Sequence, residues 1–167
     1  MKTISLIVLL LFPVLTQSQP FTKNVPKWVD NPPKDPKKFY AVGIGTSSNA
    51  QIAERIAVLN ANSKLAELVE PAVITITSKI DSVVRGNKVY IEKITVMRKS
   101  VVATLHNTRI VQRANSVKNG IYTVYVLKEM YRKEINRSVV AHIKDDKELH
   151  SAVANSDAFK SIANAAK

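Results

Sequence analysis

The 167-residue chain contains no cysteine, which excludes disulfides, thiolate nucleophiles and sulfur-ligated metal centres. Acidic residues are scarce: 13 Asp plus Glu stand against 25 Lys plus Arg, a formal charge of +12 at pH 7. That imbalance favours an acidic partner or surface without choosing between nucleic acid and lipid. Aromatic residues make up only 6%, too few for a platform of repeated stacking rings that would hold single-stranded nucleic acid. The length leaves room for one compact domain plus processing or linker sequence, and not for two domains of ordinary size.

The amino end reads as targeting sequence. Lys2 precedes an apolar run from Ile4 to Phe12, and after Leu15 the chain turns small and polar at Thr16, Gln17 and Ser18. This is the pattern of a signal peptide over residues 1–18, with Thr16 and Ser18 at the minus-three and minus-one positions before Gln19. The run is shorter than the roughly 20 residues a spanning helix needs. With no cysteine after it, thioether lipid attachment is chemically excluded. The expected product is exported, in the periplasm or on the periplasmic face of the outer membrane, without lipidation of its own. Residues 19–38 carry Pro20, Pro26, Pro32, Pro33 and Pro36, which oppose regular helix or interior strand and predict an extended lead-in. Trp28 within it pins the segment either to the folded body or to a neighbouring subunit.

Residues 39–167 read as one α+β domain with a C-terminal helical extension, a small mixed sheet with a C-terminal antiparallel hairpin packed against amphipathic helices. Phe39 to Ile44 is a strand ending at Gly45. Ser48 and Gln51 fit a capping box, and Ile52, Ile56, Leu59, Ser63 and Ala66 recur at helical spacing, so a helix is expected from Asn49 to Val69, ended by Pro71. Val73 to Ile80 alternates β-branched residues and predicts a strand. Val89 to Leu105 fits both periods, with helix preferred for Tyr90, Ile94, Met97 and Val101. Thr108 to Ala114 and Ile121 to Leu127 flank Asn119-Gly120 as a hairpin, whose second strand is apolar on both faces and therefore central. Helices are expected over Glu129 to His142 and again from Leu149 onward, with a break at Asp145-Asp146.

Residues able to carry chemistry are sparse. Gly43 and Gly45 lack the further glycines and the Lys-Ser or Lys-Thr pair of a phosphate loop, so close packing or a tight turn is the better reading. His106, His142 and His150 have no metal-ligand spacing. Asp145, Asp146 and Glu148 form a short acidic run suited to a helix start. Ser63, Ser78, Ser100 and Ser116 lack a nucleophile-elbow context. No catalytic residue, cofactor or metal is assigned, and an enzyme is not expected. The basic residues are spread, with Lys37, Lys38, Arg109, Arg113, Arg132 and Lys133 the candidates for a basic surface. Export argues against nucleic acid and toward an anionic envelope polymer or lipid.

Pro26-Lys27-Trp28, then Phe39-Tyr40-Ala41-Val42-Gly43-Ile44-Gly45, the helix ending Ser63-Lys64-Leu65-Ala66-Glu67-Leu68, the branched segment after it and Gly120 to Leu127 together resemble the LPP20 lipoprotein family over Pro26 to Lys128. Members of that family are typically bacterial cell-envelope proteins, and flagellar relatives build outer-membrane-associated rings or disks. The resemblance implies a small α/β or α+β domain, an envelope location and self-assembly into a homo-oligomer, alone or with envelope or flagellar assembly proteins. It transfers no catalytic residue. This chain departs from it in lacking the lipidated cysteine. Trp28, Tyr40, Phe159 and Ile162 are the candidates for docking between copies. The competing reading is an exported basic module that binds an anionic envelope polymer or lipid.

Overall fold

The structure, a computed structural model, describes residues 25–105 and 107–167; the signal-peptide assignment lies outside them. A single turn, α1 (Lys27–Asp30), interrupts the Pro-rich lead-in. It is followed by β1 (Lys38–Ser47), α2 (Ala50–Val83), α3 (Lys88–Ala103), β2 (Arg109–Lys118), β3 (Ile121–Tyr131), α4 (Lys133–Asp145), α5 (Lys147–Val153) and α6 (Asp157–Ala165). The α+β class is borne out. The strands form one antiparallel sheet in the order β1-β3-β2, with β3 central as its two apolar faces imply. Asn119 and Gly120 both take positive φ, 52° and 74°, the backbone that a two-residue turn with the twist of the flanking strands requires. A register shift between Ile110 and Gln112 marks a bulge in β2.

The largest correction concerns α2. The helix expected to stop before Pro71 and the strand expected at Val73 to Ile80 are one helix of 34 residues with Pro71 inside it. Its buried positions are Ala53, Ala57, Ala61, Leu65, Val69, Val73 and Thr77, followed by Ile80. A step of four residues overshoots one turn by about 40°, so over the six steps from Ala53 to Thr77 the buried side rotates by about 240°. The helix thereby serves two cores. Its first half packs Ala53, Ala57 and Ala61 on Val124 and Val126 of the sheet. Its second half packs Leu65, Val69, Val73 and Ile80 with Ile94, Met97 and Val101 of α3 and with apolar residues of α4, α5 and α6. The hydroxyls of Thr75, Thr77 and Ser78 donate to the carbonyls of Pro71, Val73 and Ile74 at 2.7–2.8 Å. These bonds satisfy the hydroxyls within the helix, and the burial of Val73 and Ile80 in the helical core outweighs the strand preference of the branched residues.

Two boundaries also move. The cap of α2 is Asn49, whose Oδ1 accepts from the Gln51 and Ile52 amides, and not Ser48. The helix expected from Glu129 begins only at Lys133, because Glu129 and Met130 are buried partners of Tyr40 and Phe39 in the β1–β3 register.

Gly43 and Gly45 explain how α2 lies so close to β1. A Cβ on Gly43 would collide with the Ala57 carbonyl oxygen and stand 2.5 Å from the Ala61 nitrogen. A Cβ on Gly45 would collide with the Ala53 carbonyl oxygen and stand 2.5 Å from the Ala57 nitrogen. The two glycines are packing residues: glycine faces alanine where strand and helix backbones meet.

Candidate functional site

Three features of the molecule stand out as chemically or physically equipped: a charged row across the sheet, an apolar helical hairpin, and a groove beside it.

The row runs across all three strands on the face away from α2, where Tyr40, Glu129 and Arg109 lie in register. Glu129 is 3% exposed and accepts from Lys38 Nζ at 3.0 Å and Arg109 Nε at 2.5 Å. Desolvation pushes its pKa up, but the hydrogen bonds from Lys38, Arg109 and Tyr40 outweigh it and hold the carboxyl below its ordinary value. The hydrogen bond to Glu129 raises the pKa of Lys38 and of Arg109 in return. A carboxyl depressed in the folded state contributes stability above its unfolded pKa and loses it as pH falls through the folded value. For Glu129 that window lies below pH 4.5, the ordinary glutamate value. Glu129→Gln is therefore expected to be less stable than the native chain at pH 7, with the gap closing below pH 4.5. Urea denaturation at a series of pH values checks this, and a gap that stays constant into acid contradicts it.

The helical hairpin is α2 and α3 joined by residues 84–87, with Asn87 capping α3 through the Val89 and Tyr90 amides. Because α2 buries its alanines on the sheet, it turns the larger side chains outward. Ile52 and Leu59 are 49% and 64% exposed and Ile56 is half-buried between them. Of the fourteen large apolar residues left exposed among the described residues, eight are on α2 and α3, so this hairpin is where the surface is most apolar. Isolated exposed apolar residues need no explanation, but a run at i, i+4 and i+7 makes a continuous stripe.

The groove encloses about 910 Å³ between α2 and α3. Ala66, Val73, Ile74, Val102 and Leu105 supply apolar wall, and Asn62, Ser63 and Thr108 line it near the sheet. Behind Asn62 lies Lys128, 7% exposed, whose Nζ donates to Asn62 Oδ1 at 2.6 Å. Desolvation alone lowers its pKa. Arg98, on the opposite wall, is committed: it donates to Thr77 Oγ1 at 2.6 Å and pairs with Asp81.

The residues singled out in the sequence fall into separate places. Phe159 and Ile162 are 6% and 2% exposed and belong to the chain's own core, whereas Trp28 and Tyr40 are half-buried. Five of the six basic candidates gather at one corner of the sheet. Lys38 and Arg109 share Glu129, the Arg132 guanidinium lies 3.9 Å over the Phe39 ring, and the Arg132 amide donates to the Lys37 carbonyl, with Lys133 next to it. Arg113 stands apart, paired with Glu54 at 2.7 Å. The acidic run starts a helix as expected: Asp146 caps α5 through the Leu149 amide, and Lys93 joins it to Glu148. His150 packs edge-on to Phe159 with ring centroids 5.5 Å apart. His106 lies outside the described residues.

One contact was not legible in the sequence. Ser100 Oγ lies 2.9 Å from His142 Nε2, and His142 Nδ1 lies 2.8 Å from the Ser138 carbonyl. A carbonyl only accepts, so Nδ1 carries the proton and Nε2 accepts from the Ser100 hydroxyl. Among the described residues no carboxylate orients the ring, and neither residue lines the groove; the pair ties α3 to α4. Among the described residues no group of three or more His, Asp or Glu is placed to hold a metal ion, and no helix is long and apolar enough to cross a membrane. The burial of Lys128 against Asn62 and the outward direction of the Ile52-Ile56-Leu59 stripe were likewise not legible. Their signal was the period-four alanines Ala53, Ala57 and Ala61 opposite Gly43-x-Gly45, small against small.

A long helix laid on a three-stranded antiparallel sheet and continued into an apolar hairpin defines a small α+β domain whose accessible features are surfaces and a groove. The chain belongs to the LPP20 lipoprotein family, whose model matches residues 26–128. The match spans α1 through most of β3; α4 to α6 lie beyond it. No curated protein matches. Among solved structures, the crystal structure of the secreted protein HP1454 from the human pathogen Helicobacter pylori is similar at 16% identity and a TM-score of 0.29, covering 76% of this chain. The chain spans about half, 52%, of that protein's length.

Proposed function

We propose that the protein is a non-enzymatic structural component of a bacterial periplasmic or outer-membrane-associated assembly and acts by self-association. A ring, disk or sheath-like structure of the flagellum is the form that family membership suggests. The observation that carries this reading is the outward Ile52-Ile56-Leu59 stripe of α2, an apolar face left open while alanines are buried behind it. Two copies that bury these side chains against each other gain the hydrophobic term that each copy forgoes alone. Trp28 and Tyr40 offer a second docking area on the lead-in and β1. A chain with two such areas can join heterologously into a ring or an open filament. Without a cysteine, membrane attachment falls to partners or to the basic corner.

Absolute mass by light scattering, at low and moderate salt, tests this reading. Discrete oligomers are expected at both salts, and Ile52→Lys with Leu59→Lys is expected to return them to monomer with an unchanged circular dichroism spectrum. A native chain that is monomeric at both salts overturns self-association.

The basic corner of Lys37, Lys38, Arg109, Arg132 and Lys133 favours a second reading, a module that binds an anionic envelope polymer or lipid. Binding through it weakens as salt rises, whereas an apolar interface holds.

A further inference from the structure

Behind the groove's Asn62 lies a charge to which no described residue supplies a counter-ion. Lys128 is on β3, on the face covered by α2, and more than nine-tenths buried. Among the described residues its ammonium has no carboxylate within ion-pair distance and one hydrogen bond, to Asn62. An ammonium carries three donors, and burying a charge without pairing it is costly. The neighbouring basic residues do not share this condition. Lys38 and Arg109 have Glu129, Arg98 has Asp81, and Arg113 has Glu54.

What lies in front of Lys128 is shaped for a ligand. Asn62 both accepts from Lys128 and lines the groove, with the Ser63 and Thr108 side chains alongside. From Asn62 the groove follows α2 to Ile74, twelve residues or about 18 Å of helix, between walls supplied by Ala66, Val73, Val102 and Leu105. A volume of about 910 Å³ is that of a small-molecule site, mostly apolar with a few convergent polar groups. A slot with an apolar wall that ends at an asparagine backed by a buried, uncompensated cation complements a molecule with a long apolar tail and one anionic head; the exposed Glu70, Thr95 and Lys99 also line the slot. A docked apolar helix would fill the slot and leave the cation as it is.

We propose that the groove between α2 and α3 binds a long-chain carboxylate, its tail lying along Ala66, Val73 and Val102 and its head at Asn62, with Lys128 as the counter-charge. The carboxylate accepts from the Asn62 side-chain amide nitrogen while Asn62 Oδ1 keeps its bond from Lys128, so that the buried ammonium stands one side chain behind the head. The site is distinct from the Ile52-Leu59 stripe and from the basic corner.

Isothermal titration of the purified protein with dodecanoate, below its micellar concentration, tests the site. None of Ile52, Ile56 and Leu59 lines the groove, so a failure of dodecanoate to bind is distinguishable from a failure of the chain to assemble. One-to-one binding is expected, with dodecanol, which has the tail without the charge, at least about tenfold weaker. Lys128→Met keeps the length and burial of the side chain and is expected to weaken dodecanoate about tenfold while leaving dodecanol unchanged. Asn62→Leu, on the half-exposed helix surface, is the second variant should Lys128→Met fail to fold, with the same loss expected. Phosphatidylglycerol vesicles distinguish a phosphate head in a membrane from a free carboxylate. Binding to vesicles without binding of dodecanoate overturns the proposal, as do equal affinities for dodecanoate and dodecanol, no binding of either, or undiminished dodecanoate binding by both folded variants.

Discussion

Gly45→Ala is expected to lower stability by more than about 3 kcal/mol, a large effect for the addition of one methyl group. The reason lies in what the methyl would meet. The Ala53 carbonyl oxygen, the Ala57 nitrogen and the Ala53 carbonyl carbon crowd the site, and all are main-chain atoms of α2. No side chain can rotate out of the way. The helix itself has to lift from β1, which loosens Ala53, Ala57 and Ala61 from Val124 and Val126 together. Gly43→Ala meets the next turn of the same helix, at Ala57 and Ala61, and the same loss is expected there. Gly120→Ala is the control. That glycine has φ of +74° with nothing within 4 Å of an added Cβ, so only backbone strain of about 1–2 kcal/mol applies. Urea unfolding followed by circular dichroism separates the three. If Gly45→Ala costs no more than Gly120→Ala, the close strand-helix contact is not what holds α2 in place.

The same contact shows which parts of this molecule a single sequence discloses. The Asn119-Gly120 hairpin was legible because its turn chemistry is local, and α3 because Ile94, Met97 and Val101 keep to one face. The LPP20 resemblance was legible in the order of short segments from Pro26 to Lys128. The second half of α2 was not, because its buried side rotates as it passes from the sheet to the helical layer. A search for one fixed apolar face then finds Ile52, Ile56 and Leu59, which are the side chains that face out. The alanines that face in look neutral until Gly43 and Gly45 are placed opposite them. Charges are harder still. Lys38, Arg109, Lys128 and Arg132 are alike in sequence, yet Glu129 neutralises the first two, Phe39 receives the last on its ring, and Lys128 is left with an asparagine. Such distinctions arise only from pairings between residues far apart in the chain, here 91 residues for Lys38 with Glu129 and 66 for Lys128 with Asn62.

Pro71→Ala is expected to stabilise the protein by about 1–3 kcal/mol, a gain in melting temperature of roughly 3–10 °C. Proline in a helix interior costs about 3 kcal/mol relative to alanine, because it cannot donate to the carbonyl four residues earlier and its ring crowds that carbonyl. Here the deprived carbonyl is that of Glu67, and Pro71 is itself exposed, so its ring has little packing to lose. Alanine restores the amide and the hydrogen bond without touching Val69 or Val73, the fully buried residues on either side. Thermal unfolding checks the sign. A melting temperature that falls means that α2 depends on the local distortion at Pro71 to present Leu65 and Val69 on one side of it and Val73 and Ile80 on the other to the same core. That outcome would also bear on the groove, whose α2 wall of Ala66, Glu70, Val73 and Ile74 straddles the proline. Straightening the helix at that point changes the spacing between α2 and Val102 of α3, and with it the fit of an apolar tail. A stabilised Pro71→Ala protein with weakened dodecanoate binding would mean that the chain keeps its proline for the shape of the groove and accepts a less stable helix in return.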